Sequence, residues 1–345
     1  MTVDIVSPYG SVNAGVRARA LSWLSRLGIP WRLTSYFDQG SSAGARQFAS
    51  HPFEAAKSEF VLRRMASNPP STLLLRRQAS PLSKGRLESR LLRAAGRGVY
   101  DIDDALHQDI RGRFFEALFS KESVSRQAAA AADVVIVGNE YLADWATTIA
   151  QDVRIIPTCI EPSSYTVKTS YEITGPPRLL WLGTRSGERY LAGLAPALRR
   201  LNREFGARVV LIGSPEAGLG AIEAMIDRVT WSLQLANTTI GHHDIGLMPL
   251  ADTPYERGKC AYKLLEYGAA GLPAVASPVG VNAAILEEAG APSPRTIDEW
   301  YDALRYLIEL DPGSRQVLAA RLRSVVERDF SFGQFEAAWR DAVVG

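Results

Sequence analysis

The sequence predicts an α/β protein that contains two doubly wound domains. The chain has 345 residues, more than a single hydrophobic core usually serves. Short runs rich in β-branched residues alternate with amphipathic helical stretches in both halves. Between the halves, residues 161–176 are rich in proline and serine and show no periodicity. We therefore predict a first Rossmann-like domain at 1–160, a linker at 161–176, a second Rossmann-like domain at 177–329 and a terminal helix at 330–345.

The first domain begins with a βαβ unit. A strand at 3–6 precedes a helix at 14–27, whose residues Ala20, Leu21, Leu24 and Leu27 recur at helical spacing, and a strand at 31–35 follows. The pattern continues with strands at 72–76, 98–102 and 134–137, helices at 81–98 and 114–132, and a small, polar, mobile loop at 40–50. Because ligands bind at the loops that follow parallel strands, the functional residues are expected at these strand ends.

The second domain repeats the alternation. Its predicted strands are 179–182, 208–212, 245–248 and 274–277, and its helices include 190–205 and a helical tail at 300–310, 314–328 and 334–344. This alternation predicts a mostly parallel sheet covered by helices.

The composition is that of an ordinary globular protein, with 46% hydrophobic and 22% charged residues. A net charge of +2 does not by itself indicate nucleic-acid binding. Residues 63–97, however, are rich in arginine and poor in acids. Such a basic face would suit an anionic acceptor or a membrane surface, and solvated loops and helix ends are the alternative interpretation.

The two cysteines, Cys159 and Cys260, lie far apart and form no metal-binding spacing, which fits a reducing compartment. The first residues read as a strand and not as a signal peptide. No apolar run approaches the ~20 residues that cross a bilayer. We expect a cytoplasmic protein with at most peripheral membrane contact.

The most informative segment is residues 258–280, GKCAYKLLEYGAAGLPAVASPVG. It predicts a loop, a helix, a tight turn and a buried strand. Lys259 and Lys263 lie one turn apart near the start of the helix, where backbone N–H groups and the helix dipole favour an anion such as a diphosphate. Glu266 could accept hydrogen bonds from the two hydroxyls of a ribose. An ordinary amphipathic helix with solvated lysines is the alternative.

This segment resembles the donor-binding helix of retaining family 4 glycosyltransferases, which have the GT-B fold, and especially a bacterial branch with a Gly-Lys-Cys start. The likeness extends to DIGLMPL at 244–250, PRLLWLG at 177–183, VVIVGNEYLADWA at 134–146 and VRIIPTCIE at 153–161. The resemblance implies two Rossmann-like domains that face a cleft, with a C-terminal helix that returns to the first domain. It also implies transfer of a hexose-type sugar from a nucleotide diphosphate sugar to an acceptor hydroxyl, with retention and without a metal cofactor.

Site residues follow from the resemblance position by position. Lys259, Lys263 and Arg185 are candidates to neutralise the diphosphate, and the loop containing Gly183 and Thr184 could cradle phosphate with its N–H groups. Typical family members have Gly-Arg…Lys-Gly after this strand, whereas this chain has Gly-Thr-Arg-Ser-Gly-Glu, so Arg185 is carried over only loosely.

The remaining donor residues come from the same family motif. Gly280 and Val281 resemble the turn whose backbone reaches the donor. Glu266 matches the second acid of the family's E-x7-E motif, but the first acid is replaced by Gly258, which leaves the identity of the sugar open. Asp252 or Glu256 could substitute from the loop.

Asp103 and Asp104 follow a predicted strand, with His107 one turn further on. In the family this strand end carries a polar residue near the donor sugar, so these three are the catalytic candidates. The three neighbouring acids Asp101, Asp103 and Asp104 are expected to raise one another's pKa. A helix cap is one alternative, and a metal-binding Asp-x-Asp motif of the GT-A fold is another.

The glycine-rich loop at 10–15 lacks a full dinucleotide fingerprint. In the resembled family it faces the acceptor and the sugar phosphates, which makes Asn13, Gly15 and Arg17 acceptor-side candidates. The non-enzymatic alternative is a degenerate family member that binds a nucleotide sugar or a partner without turnover, because the first acid is missing. The expected partners are a donor nucleotide sugar and a small-molecule, glycan or lipid-linked acceptor, and no nucleic acid.

Overall fold

The computed structural model describes residues 1–37, 50–108, 120–213, 215–216 and 218–345. The chain divides into two compact units. The first comprises Met1–Cys159, Arg257–Cys260 and Phe335–Gly345, and the second comprises Ile160–Glu256 and Ala261–Gln334. The α/β class predicted from the alternation of strands and helices is confirmed.

In the described part of the first unit, six parallel strands form one sheet in the order β2-β1-β3-β4-β5-β6. The strands are β1 (Val3–Tyr9), β2 (Trp31–Phe37), β3 (Thr72–Arg76), β4 (Arg97–Ile102), β5 (Val134–Val137) and β6 (Val153–Ile155). β1, β3, β4 and β5 are buried almost throughout, which explains their continuous apolar runs.

The described helices of the first unit cover this sheet and pack on a core that includes Leu62, Leu73, Leu91, Tyr100 and Val135. They are α1 (Ala14–Val16), α2 (Ser22–Arg26), α3 (Pro52–Ser67), α4 (Arg86–Ala94), α5 (Lys121–Ala129) and α6 (Glu140–Ala146), with a π-helical turn at Arg17–Leu21 between α1 and α2.

Five parallel strands of the second unit form a sheet in the order β11-β10-β7-β8-β9 within the described residues. The strands are β7 (Arg178–Leu182), β8 (Arg208–Gly213), β9 (Ile226–Thr230), β10 (Ile245–Met248) and β11 (Ala274–Ala276). Tyr267 fixes the centre of this unit, because its buried hydroxyl donates to the carbonyls of Leu180 and Leu247, on the two neighbouring strands β7 and β10.

The described helices of the second unit are α7 (Glu188–Gly193), α8 (Ala195–Phe205), α9 (Leu233–Thr239), α10 (Pro254–Arg257), α11 (Tyr262–Ala269), α12 (Val281–Ala289), α13 (Ile297–Glu309), α14 (Pro312–Asp329) and α15 (Phe332–Val343). α10 and α15 each extend across the boundary between the units in sequence. α15 packs on the first unit, where Trp339 stacks on Trp23 at 5.4 Å. The implied return of the C-terminal helix is therefore confirmed.

Several predicted boundaries differ from the structure. The helix at 81–98 begins only at Arg86, because Gly85 has a φ of +103°. The helix at 190–205 is two helices, with the break at Leu194 just before Pro196. Residues 161–176 pack against the second unit, where Tyr165 and Tyr171 are buried. The loop at 40–49 and the first part of the helix at 114–132 lie outside the described residues.

Among the residues that the structure describes, no helix is both long enough and apolar enough to span a bilayer.

Candidate functional site

The topology of each sheet marks one position, at the carboxyl ends of its strands, where a ligand is expected. In the first sheet the chain changes direction between β1 and β3, and in the second between β7 and β10. At such a switch point the two following loops diverge and leave a crevice outside the carboxyl ends of the strands.

Next to the switch point of the first unit, Asp101 is a buried residue near the carboxyl end of β4. Its Oδ1 lies 2.5 Å from Arg19 Nη2 and its Oδ2 lies 2.8 Å from Arg76 Nη1. Both guanidinium groups are almost inaccessible, with side-chain exposures of 2% and 1%. Arg76 lies beside Asp101 because β3 and β4 pair in a register that aligns these two residues.

Asp103 and Asp104 extend this ion network. Asp103 Oδ2 lies 2.5 Å from Arg76 Nη2 and its Oδ1 lies 3.0 Å from Arg77 Nε. Asp104 pairs with Arg77, and its Oδ1 lies 3.4 Å from Lys259 Nζ. The network thus places alternating carboxylates and cations along the carboxyl ends of β3 and β4.

The expectation that these neighbouring acids raise one another's pKa is wrong for Asp103. Burial opposes its ionised form, but the charges of Arg76 and Arg77 outweigh burial and hold the pKa of this carboxyl well below its usual range. Asp103 is therefore a carboxylate at neutral pH. The short 3-10 turn at Leu106–Gln108 is closed by a hydrogen bond from the Gln108 N–H to the Ala105 carbonyl, and within the described residues no side-chain cap by Asp103 or Asp104 is seen.

The loop after β1 approaches the same network. Asn13 caps α1 by accepting from the Val16 N–H at 3.2 Å, and Arg17 Nη1 donates to the Val12 carbonyl at 2.5 Å. A Cβ atom at Gly15 would overlap Arg76 Nη2, so only glycine allows the loop to lie this close to the guanidinium. Gly15 and Asp103 therefore contact the same arginine, as the switch-point geometry requires.

His107 is not a surface residue. Its imidazole is nearly buried and stacks on Trp145, with ring centroids 4.4 Å apart and an interplanar angle of 5°. Burial lowers the pKa of His107 to about 4, so the ring is neutral at pH 7. The stacking indicates a packing role for this histidine, and a catalytic role stays a prediction.

Residues 257–260 interrupt the second unit in sequence but belong by their contacts to the first. Asn139 Nδ2 donates to the carbonyls of Gly258 and Lys259 at 3.1 and 3.2 Å, and its Oδ1 caps α6 through the Leu142 N–H. Cys260 Sγ lies 3.3 Å from the Asp103 carbonyl, and burial raises the pKa of the thiol to about 12, so it remains a donor.

Gly258 occupies the position of the family's first acid. A Cβ atom there would lie 2.6 Å from the Ala105 nitrogen and 2.6 Å from its Cβ. The backbone thus leaves no space for any side chain at this position.

Sequence reasoning missed Asn139 as a site residue. It also missed Arg19, Arg76 and Arg77 as partners of the aspartates. The available signal was a run of acids at the end of one predicted strand and a pair of arginines at the end of another.

In the second unit, the loop after β7 contains Gly183, Thr184 and Arg185. Gly183 lies against the Trp181 indole, where a Cβ would come within 2.5 Å of the ring. Arg185 begins the 3-10 turn Arg185–Gly187, is half exposed and pairs with Glu216 at 2.8 Å.

The helix α11 reaches the same indole. Lys263 lies in its first turn, and the Nζ of Lys263 is 5.5 Å from the centroid of the Trp181 ring. Lys263 and the loop at 183–187 therefore converge at the end of β7. α11 begins at Tyr262, three residues after Lys259, and Lys259 pairs with Asp104 in the first unit.

Glu266 is one turn beyond Lys263, on the same side of α11, and it is nearly buried. The Tyr165 hydroxyl donates to Glu266 Oε1 at 3.5 Å. Burial, together with the Glu266 charge, raises the pKa of Tyr165 well above its ordinary value, so the hydroxyl keeps its proton.

Glu256 lies after β10, on the other side of the switch point. Its Oε1 lies 3.1 Å from Arg189 Nη2 and accepts from the Tyr190 hydroxyl, while its Oε2 accepts from Thr253 Oγ1. The Arg189 guanidinium also lies over the Tyr190 ring at 4.5 Å. Glu256 is thus a buried carboxylate held in place by three side chains, and Arg189 and Tyr190 were not recognised from the sequence.

Gly280 and Val281 form the start of α12. Gly280 has φ +56° and ψ −133°, a conformation that side-chain-bearing residues rarely adopt, and Val281 is the first residue of the helix. The exposed turn follows β11, at the carboxyl edge of the second sheet.

The described residues contain no cluster of three or more histidine, cysteine, aspartate or glutamate side chains suited to a metal ion. The Asp-x-Asp alternative lacks support here, because Asp101 and Asp103 are paired with buried arginines.

Two Rossmann-like units and a C-terminal helix that returns to the first define the GT-B class of glycosyltransferases. Residues 176–310 match the family model described as glycosyl transferases group 1. This match includes residues 258–280 and confirms the resemblance noted there. Together with the fold, it identifies the chain as a glycosyltransferase.

Solved structures show the same fold over the whole chain. Sucrose-phosphate synthase from Thermosynechococcus elongatus has a TM-score of 0.70 at 15% identity and covers 99% of this chain and 98% of its own. WaaG, a glycosyltransferase involved in lipopolysaccharide biosynthesis, has a TM-score of 0.67 at 14% identity, with both chains covered completely. Anabaena HepE in complex with UDP and glucose has a TM-score of 0.67 at 13% identity and covers 99% and 98%. No curated protein sequence matches the chain.

Proposed function

We propose that this glycosyltransferase transfers a hexose-type sugar from a nucleoside diphosphate to an acceptor hydroxyl, with retention and without a metal ion. One observation carries the proposal. At the switch point of the second sheet, Lys263 and the loop at 183–187 meet on the Trp181 ring, with Glu266 one turn further along the same helix. A cation, a glycine loop and a carboxylate in this order suit a diphosphate followed by a ribose.

Each group has a separate role in this proposal. Lys263 neutralises the charge that grows on the leaving diphosphate, and backbone N–H groups at 183–187 assist it. Arg185, now paired with Glu216, is a second cation on the same loop. Glu266 accepts hydrogen bonds from the ribose hydroxyls, and the Gly280–Val281 turn approaches the donor with its backbone.

Glu256 takes the place of the missing first acid in contacting the transferred sugar. It is buried at the carboxyl end of β10, and its fixed hydrogen bonds hold the carboxylate in one orientation. The presence of UDP and glucose in the HepE structure makes uridine diphosphate glucose the first donor to test.

The first unit provides the acceptor side in this proposal. Asp103 is ionised, and Asp103 and Asp104 are positioned by Arg76 and Arg77 beside the loop that contains Gly15. Ionised carboxylates of this kind accept hydrogen bonds from sugar hydroxyls. Lys259, paired with Asp104, and Asn13 and Arg17 in the neighbouring loop complete the proposed set.

Both cysteines are free thiols, which is consistent with the proposed cytoplasmic location.

The test is a thermal-shift screen of uridine, guanosine, thymidine and adenosine diphosphates, each with and without a chelator. A ligand at about 100 times its Kd adds about 2.7 kcal/mol to the stability of the state it binds. We expect one diphosphate to stabilise the protein equally in both conditions. Stabilisation that requires a divalent cation would contradict the metal-free mechanism, and binding without product formation from the matching nucleotide sugar would favour a degenerate, non-catalytic member.

A further inference from the structure

The helix α3 presents an outward stripe in which aromatic and basic residues alternate. Phe53, Lys57, Phe60 and Arg64 are all exposed, with Phe53 at 88% and Phe60 at 65%. At 100° per residue these four side chains fall within an arc of about 60°. The buried residues of the helix, Ala55, Leu62 and Ala66, lie on the opposite side.

The two acidic residues of α3 lie outside the outward arc. By the same helical angle, Glu54 and Glu59 are displaced from its centre by about 90° and about 130°. The charge along the stripe is therefore uniformly positive, and the apolar rings stand between the cations instead of packing on the core.

The neighbouring helix α4 presents a second basic stripe, which contains no aromatic residue. Arg86, Arg90 and Arg93 are exposed and also span about 60°, opposite the buried Leu91 and Leu92. The three arginines line one groove of about 600 Å³ beside α5. A second groove, of about 740 Å³, is lined by Glu59 and Arg63 of α3 and by Arg86 of α4, so the two helices border one surface.

We propose that this surface, the phenylalanine–arginine face (Phe53, Lys57, Phe60, Arg64, Arg86, Arg90 and Arg93), docks on an anionic lipid bilayer. The cations pair with lipid phosphates, and the two phenylalanine rings insert at the level of the headgroups. Such a face holds the first unit at a membrane without any membrane-spanning helix.

Charge complementarity and the exposed rings together select this partner. A soluble polyanion would be attracted by the arginines, but it would offer no apolar environment for Phe53 and Phe60. An ordinary protein partner would be expected to place acids opposite the cations and an apolar pocket opposite the rings. A bilayer interface provides both environments continuously over the ~16 Å that the α3 stripe spans.

The experiment measures co-sedimentation of the full-length protein with vesicles of phosphatidylcholine, with or without phosphatidylglycerol. Wild type should bind only the anionic vesicles, more weakly as salt is raised. Neutralising two cations in K57Q/R64Q should weaken binding about thirty-fold, because each basic residue near such a surface contributes about fivefold. F53S/F60S should weaken it by tenfold or more.

Matched controls lie on the second unit. R199Q/R203Q removes two exposed arginines of α8, and L233S/V317S removes two exposed apolar side chains, with Leu233 and Val317 both about half exposed. Neither control should change vesicle binding. All four variants change exposed residues, so each should keep the wild-type melting temperature and circular dichroism.

Two results would overturn the proposal. One is the absence of wild-type binding to anionic vesicles. The other is full binding by F53S/F60S together with equal affinity of wild type for a soluble polyanion such as dextran sulfate, which would assign the face to a polyanionic ligand. The proposal is independent of the donor site, so nucleoside diphosphate binding in solution should be the same in every variant.

Discussion

Gly258 offers the sharpest structural test of why this chain lacks the family's first acid. In Gly258→Ala, the new Cβ would lie 2.6 Å from both the Ala105 nitrogen and the Ala105 Cβ. Neither of these atoms can turn aside as the end of a long side chain would, and Asn139 holds the Gly258 carbonyl on the other side. Overpacking of this kind costs about 1–3 kcal/mol. We expect G258A to lower the free energy of unfolding, measured by urea denaturation, by that amount.

The matched control is Gly193→Ala. Gly193 ends α7, has a negative φ, and a Cβ added to it would meet no atom within 4 Å, so alanine there should leave stability unchanged or raise it by up to about 1 kcal/mol. A further consequence is that Gly258→Glu cannot restore the family motif and should be at least as destabilised as G258A. Wild-type stability in G258A would show that the segment yields easily, and the steric explanation would be refuted.

Three further predictions concern the ion network that contains Asp101 and Asp103 and the proposed donor site that contains Lys263. Asp101→Ala leaves the buried Arg19 and Arg76 guanidinium groups without this carboxylate, so unfolding free energy should fall by about 3–5 kcal/mol, and a loss below 1 kcal/mol in urea denaturation would refute the network's role. Because the folded-state pKa of Asp103 is depressed, its contribution to stability is present above the unfolded value of 3.8 and is lost as pH falls below it. Asp103→Asn should accordingly flatten the stability profile at acid pH, and an unchanged slope would contradict the depressed pKa. Lys263→Ala should lower kcat as well as donor affinity, since the leaving diphosphate gains charge in the transition state, and an unchanged kcat in steady-state kinetics would remove Lys263 from the chemistry.

The sequence was sufficient for the fold because its signals are local. Buried parallel strands such as β3 and β5 leave apolar runs, and the turn at Gly271 and Pro273 separates α11 from β11 without ambiguity. The helix α11 and its Glu266 were placed for the same reason.

The partners of the site residues depended on information that is not local. Arg76 meets Asp101 only through the register between β3 and β4. Gly258 meets Ala105, and Asn139 meets Lys259, across more than a hundred residues of chain. His107 was expected near the acids because it follows them closely, but stacking on Trp145 buries its ring. Sequence reasoning thus found candidate residues and could not assign the charge state or contacts of each one.

The central claim is that the second unit binds a nucleoside diphosphate with Glu266 on the ribose. Titration calorimetry of the diphosphate selected by the thermal-shift screen, with Glu266→Ala and the exposed-acid control Glu287→Ala, tests it most directly. Loss of one charged acceptor costs about 1.5–3 kcal/mol, so E266A should bind about tenfold to a hundredfold more weakly, while E287A should match wild type. Wild-type affinity in a folded E266A protein would contradict the claim.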